Sequence, residues 1–321
     1  MKILVTGAAG FIGYHLCKNL LKKKLHVYGI DNLNDYYSTQ LKKDRIKILK
    51  KGNFKKYFLF KKLDIKNKNS LNNFCKKNKI DIIIHLAAQA GIRYSLKNPR
   101  DYLDNNVVGL FNLMEIARLN KIKKFIYASS SSVYGASKKA PFMESYDTSS
   151  PLQFYGATKK AGEVFLKSYN HLYNFPVICL RFFTAYGPMG RPDMAIFSFT
   201  KNILENKPIQ IFNKGKMIRD FTYIDDIVDG ITKCLKLKKV NFKIYNLGNQ
   251  KPIKLMYLIK LLEFNLKKKA KIIFTKYKKT EMAKTHSSNK KAFVELKYKP
   301  KIKIEIGIKR FIEWYSNYYG K

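Results

Sequence analysis

Cysteine is scarce in this chain of 321 residues, tryptophan occurs once and proline nine times, and acidic side chains are outnumbered 22 to 64 by Lys and Arg. The four cysteines (Cys17, Cys75, Cys179, Cys234) are far apart, form no CxxC pair and sit in apolar-patterned segments, so neither a disulfide framework nor a metal site is expected. Long hydrophobic runs are missing as well. The longest, such as Ile82 to Ala88, fall far short of the ~20 residues that span a bilayer. The chain opens directly on a strand-like Met-Lys-Ile-Leu-Val-Thr-Gly with no apolar signal segment, which predicts a soluble cytoplasmic protein with no membrane partner.

Arginine is the scarcest of the common charges: only eight of the 64 basic residues are Arg (Arg45, Arg93, Arg100, Arg118, Arg181, Arg191, Arg219, Arg310). The formal charge of +42 would suit a polyanionic partner, yet the lysines spread along the whole chain and no nucleic-acid-binding motif accompanies them. Lys, Asn, Ile, Tyr and Phe share A/T-rich codons, so nucleotide bias accounts for the excess, and no nucleic-acid partner is expected. A small anionic substrate is still attracted by such a field. An arginine beside a motif, by contrast, is not explained by codon bias.

What the chain does have is alternation. β-Branched runs at Lys2–Thr6, His26–Ile30, Tyr57–Lys61, Asp81–His85, Lys123–Ser129 and Val177–Phe182 read as strands. Amphipathic stretches between them, Phe11–Lys23, Ser38–Lys50, Asn69–Lys77, Pro99–Leu119 and Phe154–Tyr173, read as helices, the fourth with Asn98 as N-cap and proline at its first position. This pattern predicts an α/β fold, a doubly wound parallel sheet with a smaller C-terminal α/β substrate-binding lobe. The regular alternation ends after Gly187. The expected division is 1–180 with about 224–248 for a Rossmann domain, and 181–223 with 249–321 for the second lobe.

Two motifs carry chemistry. Thr6-Gly7-Ala8-Ala9-Gly10-Phe11-Ile12-Gly13 lies between the first strand and the first helix. Its GxxGxxG spacing permits a tight turn and close approach of a pyrophosphate to a helix N-terminus. Asp31, ending the second strand, is placed to accept hydrogen bonds from ribose hydroxyls and to repel a 2′-phosphate, which favours NAD over NADP. The second motif is Tyr155-Gly156-Ala157-Thr158-Lys159, in which phenol and ammonium share one helix face. A lysine there is expected to lower the phenol pKa and make it a general base. Such a pair would be unremarkable in a Lys- and Tyr-rich chain, but it follows a hydroxyl cluster, Ser129 to Ser132, at the rim of the sheet where ligands bind.

These motifs together resemble the extended short-chain dehydrogenase/reductases, and within them the NAD-dependent sugar-nucleotide 4-epimerases that act on UDP-hexuronates such as UDP-glucuronate. The resemblance rests on TGAAGFIG from Thr6, DNLNDYY from Asp31, HLAAQAGIRYS from His85, YASSSSVYG from Tyr127, YGATK from Tyr155, RFFTAYGPMGRPDMA from Arg181, RDFTYIDDI from Arg219 and NLGN from Asn246. It implies an isomerase with tightly bound NAD, with Tyr155, Lys159 and Ser130 as catalytic residues. It places Gly7, Gly10, Phe11, Ile12, Gly13, Asp31, Asn32, Asp64, Ile65, Leu86, Ala87, Ala88 and Lys159 against the cofactor. Ser131 and Ser132 stand where related dehydratases and decarboxylases carry acids, so the groups for a C5–C6 elimination are absent. Thr184 and Arg191 match positions that contact a uronate carboxylate, Arg219 matches a diphosphate contact, and Arg93 falls within a substrate-side segment. Arg191 could instead pair with Asp193, which would leave a neutral hexose as the substrate; a catalytically idle, NAD-sensing protein is the reading from another class. The resemblance also implies a homodimer built on the Pro99 and Phe154 helices, in keeping with the wide apolar arc of the former (Tyr102, Leu103, Val107, Leu110, Phe111, Met114). It weakens at Lys279-Thr280-Glu281-Met282 and Ser287-Ser288, where relatives carry a different stretch.

Overall fold

The six runs expected as strands pair in register in a computed structural model that describes residues 1–137, 139–238, 240–276 and 282–320. A seventh strand, Phe242–Leu247, joins them. The order across the sheet is Phe242–Leu247, Val177–Phe182, Lys124–Ser130, Ile82–His85, Lys2–Thr6, His26–Asp31, Phe58–Lys62, with all neighbours parallel. Strand ends lie within one residue of the sequence reading. The chain winds outward from Lys2–Thr6 to one edge and then returns to build the other half. A crevice therefore opens beyond the C-terminal ends of Lys2–Thr6 and Ile82–His85, the switch point at which doubly wound sheets hold ligands.

One expected helix is corrected. Pro99–Leu119 is not a continuous α-helix: α-helical turns at Pro99–Tyr102 and Gly109–Leu119 flank a wider π-type stretch, Leu103–Val108. The Asn98 side chain makes no capping bond. The widened turn carries buried Asn106, whose Oδ1 accepts from Gln89 N at 2.8 Å while Nδ2 donates to Gln89 O and Thr158 Oγ1, both at 3.0 Å. Those bonds fasten the loop after Ile82–His85 to the Phe154–Tyr173 helix, a use typical of π-turns near functional sites.

From Thr184 onward the described residues form three small two-stranded sheets and, beside Ile224–Leu235, the helices Ala195–Leu204, Leu255–Leu266, Lys290–Leu296 and Ile304–Tyr319. The Ile224–Leu235 helix instead packs on Phe11–Lys22 of the main sheet. Asp220 joins the segments. Its fully buried carboxylate accepts from Asn249 N (2.7 Å), Gln250 N (3.2 Å), Ser287 N (2.9 Å) and Ser287 Oγ (2.6 Å), which offsets much of the cost of burying a charge. The stretch Lys279-Thr280-Glu281 lies outside the described residues, whereas Met282, Ser287 and Ser288 are buried. All four cysteines are buried and free. Among the described residues no helix is long and apolar enough to cross a membrane.

A half-buried histidine, His15, and a buried one, His85, give the fold a pH limit. His15 hydrogen-bonds Pro188 O at 2.8 Å and His85 hydrogen-bonds Thr6 Oγ1 at 2.8 Å. Burial pulls the first down to about 4 and the second to about 3. Both folded values lie below that of an exposed histidine, so between about pH 6.5 and pH 4 the unfolded chain binds protons that the folded chain does not, and stability falls as pH falls. By pH 5 the expected loss is on the order of 2 kcal/mol for each histidine. Urea midpoints at pH 7 and pH 5 measure it, and His15→Gln should flatten part of the slope.

Candidate active site

The N-terminal glycine turn is built so tightly that side chains cannot enter it. Gly7 has φ +71°, and a Cβ there would lie 2.8 Å from Ala87 N; a Cβ on Gly13 would lie 2.0 Å from Gly7 O. The turn delivers the chain into the Phe11–Lys22 helix, whose N-cap Gly10 offers no side-chain acceptor to the first backbone N–H groups. Those unpaired donors, with the positive end of the helix dipole, suit a diphosphate. Asp31 sits beside them. Its carboxylate accepts from Ala9 N (3.1 Å) and Leu33 N (2.8 Å); burial raises its pKa, and these bonds together with Lys42 work in the opposite sense. Asn32 turns towards Asp64, donating to its Oδ2 at 3.1 Å. Leu86 N and Ala87 N both donate to Thr6 Oγ1, which keeps the small-residue turn flush against the glycines.

Across the crevice, the Lys124–Ser130 strand ends in a short 3-10 turn, Ser131–Tyr134. Ser130 Oγ accepts from Ser132 N at 3.1 Å, donates to Ser132 Oγ at 3.2 Å, and reaches the phenol of Tyr155. Tyr155 and Lys159 occupy the first turns of Phe154–Tyr173, as the sequence spacing requires. The Lys159 ammonium donates to Ala128 O at 2.8 Å and lies 6.0 Å from the centre of the Tyr155 ring. Burial draws Lys159 down to about 7. The Tyr155 phenol is raised by burial, with Ser130 and Arg191 acting the other way. The net direction is therefore opposite to the one expected from the lysine pairing: in the protein alone, burial outweighs Ser130 and Arg191 and the phenol stands above its ordinary value. Ser129 faces away, donating to Glu163 Oε1 at 2.6 Å within a buried Glu163–Arg181 pair.

A single cavity of about 770 Å³ runs from the glycine turn past Tyr155 into the C-terminal half. Every residue expected at the site lines it except Asp64, whose carboxylate is turned to Asn32 and Lys66. Thr184 and Arg191 line it, as do Ser131 and Ser132. Arg191 does pair with Asp193, Nε to Oδ1 at 3.0 Å and Nη2 to Oδ2 at 2.6 Å, yet it faces the cavity while doing so. Arg93 stacks 4.3 Å from the centre of the Phe212 ring, and Arg219 donates to Ile218 O (3.0 Å) and Ala283 O (3.3 Å). Tyr36, Gln89, Phe199 and Phe212 line the cavity without having been foreseen. The first two lie inside the motif segments DNLNDYY and HLAAQAGIRYS, which was a usable signal; the two phenylalanines had none.

Comparison with known proteins agrees with this geometry. Residues 3–248 match the NAD dependent epimerase/dehydratase family. UDP-glucuronate 4-epimerase 1 of Arabidopsis thaliana is 42% identical over 337 aligned residues, covering 100% of this chain and 78% of that one. The crystal structure of UDP-glucuronic acid 4-epimerase from Bacillus cereus in complex with UDP-glucuronic acid and NAD superposes with a TM-score of 0.93 at 37% identity, covering 99% of this chain and 100% of that one. The UDP-glucose 4-epimerase of Thermotoga maritima, with UDP-glucose, is similar at lower identity: 26%, TM-score 0.87, covering 99% and 100%.

Proposed function

The chain belongs to the NAD-dependent epimerase/dehydratase family, and from this we propose that it is an NAD-dependent isomerase that inverts C4 of a UDP-hexuronate, interconverting UDP-glucuronate and UDP-galacturonate. One observation carries the reading: the cavity lined by the glycine turn and Asp31 is lined as well by Ser130, Tyr155, Lys159 and Arg191. When bound, NAD supplies reversible hydride acceptance at C4. Gly7, Gly10, Phe11, Ile12 and Gly13 would hold its diphosphate, Asp31 and Asn32 the adenosine ribose, Ile65 the adenine side with Asp64 behind it bonded to Asn32, and Leu86, Ala87, Ala88 and Lys159 would line the nicotinamide half. Their fit rests on the space that only glycine leaves at positions 7 and 13. Residues 1–180 with about 224–248 form the cofactor domain, and 181–223 with 249–321 the sugar-nucleotide lobe.

Tyr155 accepts the C4 hydroxyl proton, with Ser130 donating to the same oxygen and Lys159 supporting the phenolate. The 4-keto sugar then turns within the cavity, so that the hydride the cofactor would return meets the opposite face of C4 while Tyr155 gives the proton back to O4. A 4-ketouronate is a β-keto acid and loses CO2 when its carboxylate bond aligns with the carbonyl. Ser131, Ser132, Thr184 and Arg191 hold the carboxylate out of that alignment, and Arg93 and Arg219 serve the UDP end. Incubating the purified protein with UDP-glucuronate, UDP-glucose and UDP-N-acetylglucosamine and resolving the products by NMR tests this. UDP-galacturonate from the first is expected; turnover of a neutral hexose with none of the uronate would overturn the reading.

A homodimer is the expected assembly. Leu103, Val108, Phe111 and Leu119 on one helix segment, and Phe154, Val164, Phe165 and Leu172 on the next helix, are exposed together. Apolar side chains left exposed on two neighbouring helices suit a helix-to-helix interface. Light scattering at micromolar concentration should give twice the 37.5 kDa chain mass, and Phe165→Lys should shift the protein towards monomer.

A further inference from the structure

Arg191 belongs to a junction of three loops, each of which carries one of the motif segments. Tyr36 comes from the loop after His26–Asp31, Gly91 from the loop after Ile82–His85, and Arg191 and Asp193 from the segment after Thr184–Tyr186. Asp193 engages the Nε and Nη2 edge of the Arg191 guanidinium, and its Oδ2 also accepts from Tyr36 Oη at 3.1 Å. The Tyr36 hydroxyl reaches that carboxylate only because position 91 is glycine: a Cβ there would lie 2.3 Å from Tyr36 Oη and 3.7 Å from Asp193 Oδ2. The guanidinium carbon lies 5.8 Å from the centre of the Tyr36 ring, near enough for a cation–π contribution. All four residues line the cavity.

Asp193 takes the Nε and Nη2 edge of the guanidinium, the Tyr36 phenol interacts with the same arginine, and the side chain still keeps 20% of its exposure towards the cavity. Long arginine side chains lose much rotamer freedom when they bind, and less if they are already held. A carboxylate two residues away that takes the Nε edge fixes the fork where it borders the cavity. Burial opposes the charged form of Asp193, but Arg191 and Tyr36 outweigh it, and its pKa stays below the usual carboxylate value.

Resting on the uronate reading above, we propose that Asp193 and Tyr36 are positioning residues that aim Arg191, so that they set the preference for a charged over a neutral sugar without touching the sugar themselves. Because Tyr36 shares its loop with Asp31 and Asn32, this junction also joins the ribose side of the crevice to the carboxylate side. The alternative is competition, in which Asp193 occupies Arg191 and must be displaced by substrate. The two give opposite signs when Asp193 is neutralised.

The test uses the holoenzyme and two constants: KM for UDP-glucuronate, and the competitive inhibition constant of UDP-glucose, which is measurable whether or not that sugar is turned over. Asp193→Asn should raise KM for UDP-glucuronate tenfold or more while the UDP-glucose constant shifts less than threefold. Tyr36→Phe should act in the same direction by two- to fivefold, and Asp193→Glu should restore part of the preference. A lowered KM in Asp193→Asn would establish competition and overturn the proposal. Equal rises in both constants, with loss of bound NAD or a lower Tm, would assign these residues to loop structure instead. Failure of the uronate reading itself shows earlier, as absent UDP-glucuronate turnover in the unmodified enzyme.

Discussion

Phenylalanine at position 155 should lower kcat by about two to four orders of magnitude, the range associated with loss of a positioned acid–base group, while leaving fold and NAD content nearly intact. The substitution removes one oxygen and keeps the ring. That ring packs edge-on against Tyr102, with centroids 6.0 Å apart and planes at 75°, and phenylalanine preserves the contact. The lost hydroxyl is uncharged in the protein at neutral pH, because burial holds the phenol above its ordinary pKa, so the substitution removes no charge from the fold. Its remaining partner, Ser130 Oγ, still accepts from Ser132 N and donates to Ser132 Oγ, so no buried hydroxyl is orphaned. Lys159 keeps its bond to Ala128 O. What is left in the site is poorly placed to take the C4 proton: Ser130 is a far weaker base, Lys159 is turned to Ala128 O and lies 6.0 Å from the centre of the ring at position 155, and His85 is buried with its Nδ1 committed to Thr6. Stopped-flow turnover, Tm and absorbance of bound cofactor measured on one preparation separate the chemical loss from a folding loss. Comparable kcat in the variant would show that Tyr155 is not the proton acceptor.

The sheet and the cofactor turn were legible because their causes are local. Strands such as Ile82–His85 are unbroken apolar runs buried on both faces, and the glycines at 7, 10 and 13 are fixed by sterics within one turn. The π-type stretch at Leu103–Val108 was not legible, since it depends on Asn106 meeting Gln89 and Thr158, residues far away in sequence. The same holds for the Phe242–Leu247 strand, whose half-polar pattern becomes a strand only by pairing with Val177–Phe182. At the site, Tyr155 and Lys159 were placed correctly by spacing, but the direction of the phenol shift was not. Spacing reports proximity, whereas desolvation depends on everything else that surrounds the pair. Arg191 sits between these cases: both alternatives for it, cavity arginine and partner of Asp193, describe the structure at once.

Removing Arg191 is expected to cost roughly 2 to 5 kcal/mol in kcat/KM for UDP-glucuronate, the scale for truncating one member of a buried charge pair. The loss should be specific to the uronate. UDP-glucose presents a hydroxymethyl group in place of the carboxylate and leaves no charge unpaired, so its kcat/KM or inhibition constant should change far less. A purely structural loss is disfavoured by what remains: in Arg191→Ala, Asp193 keeps the Tyr36 hydroxyl at 3.1 Å and is 29% exposed, so water can solvate its second oxygen. Arg191→Lys should recover only part of the activity, because a point charge cannot both hold the two oxygens of Asp193 and turn a second donor towards the substrate. The variants should also leak. A carboxylate that is no longer restrained aligns more often with the C4 carbonyl, so the decarboxylated 4-keto pentose nucleotide should appear beside UDP-galacturonate in product analysis. That ratio is independent of how much enzyme is folded, which makes it the cleaner measurement. Equal losses on both sugars, with no decarboxylated product, would assign Arg191 to loop structure and leave the enzyme a 4-epimerase whose preference for a carboxylate arises from Ser131, Ser132 and Thr184.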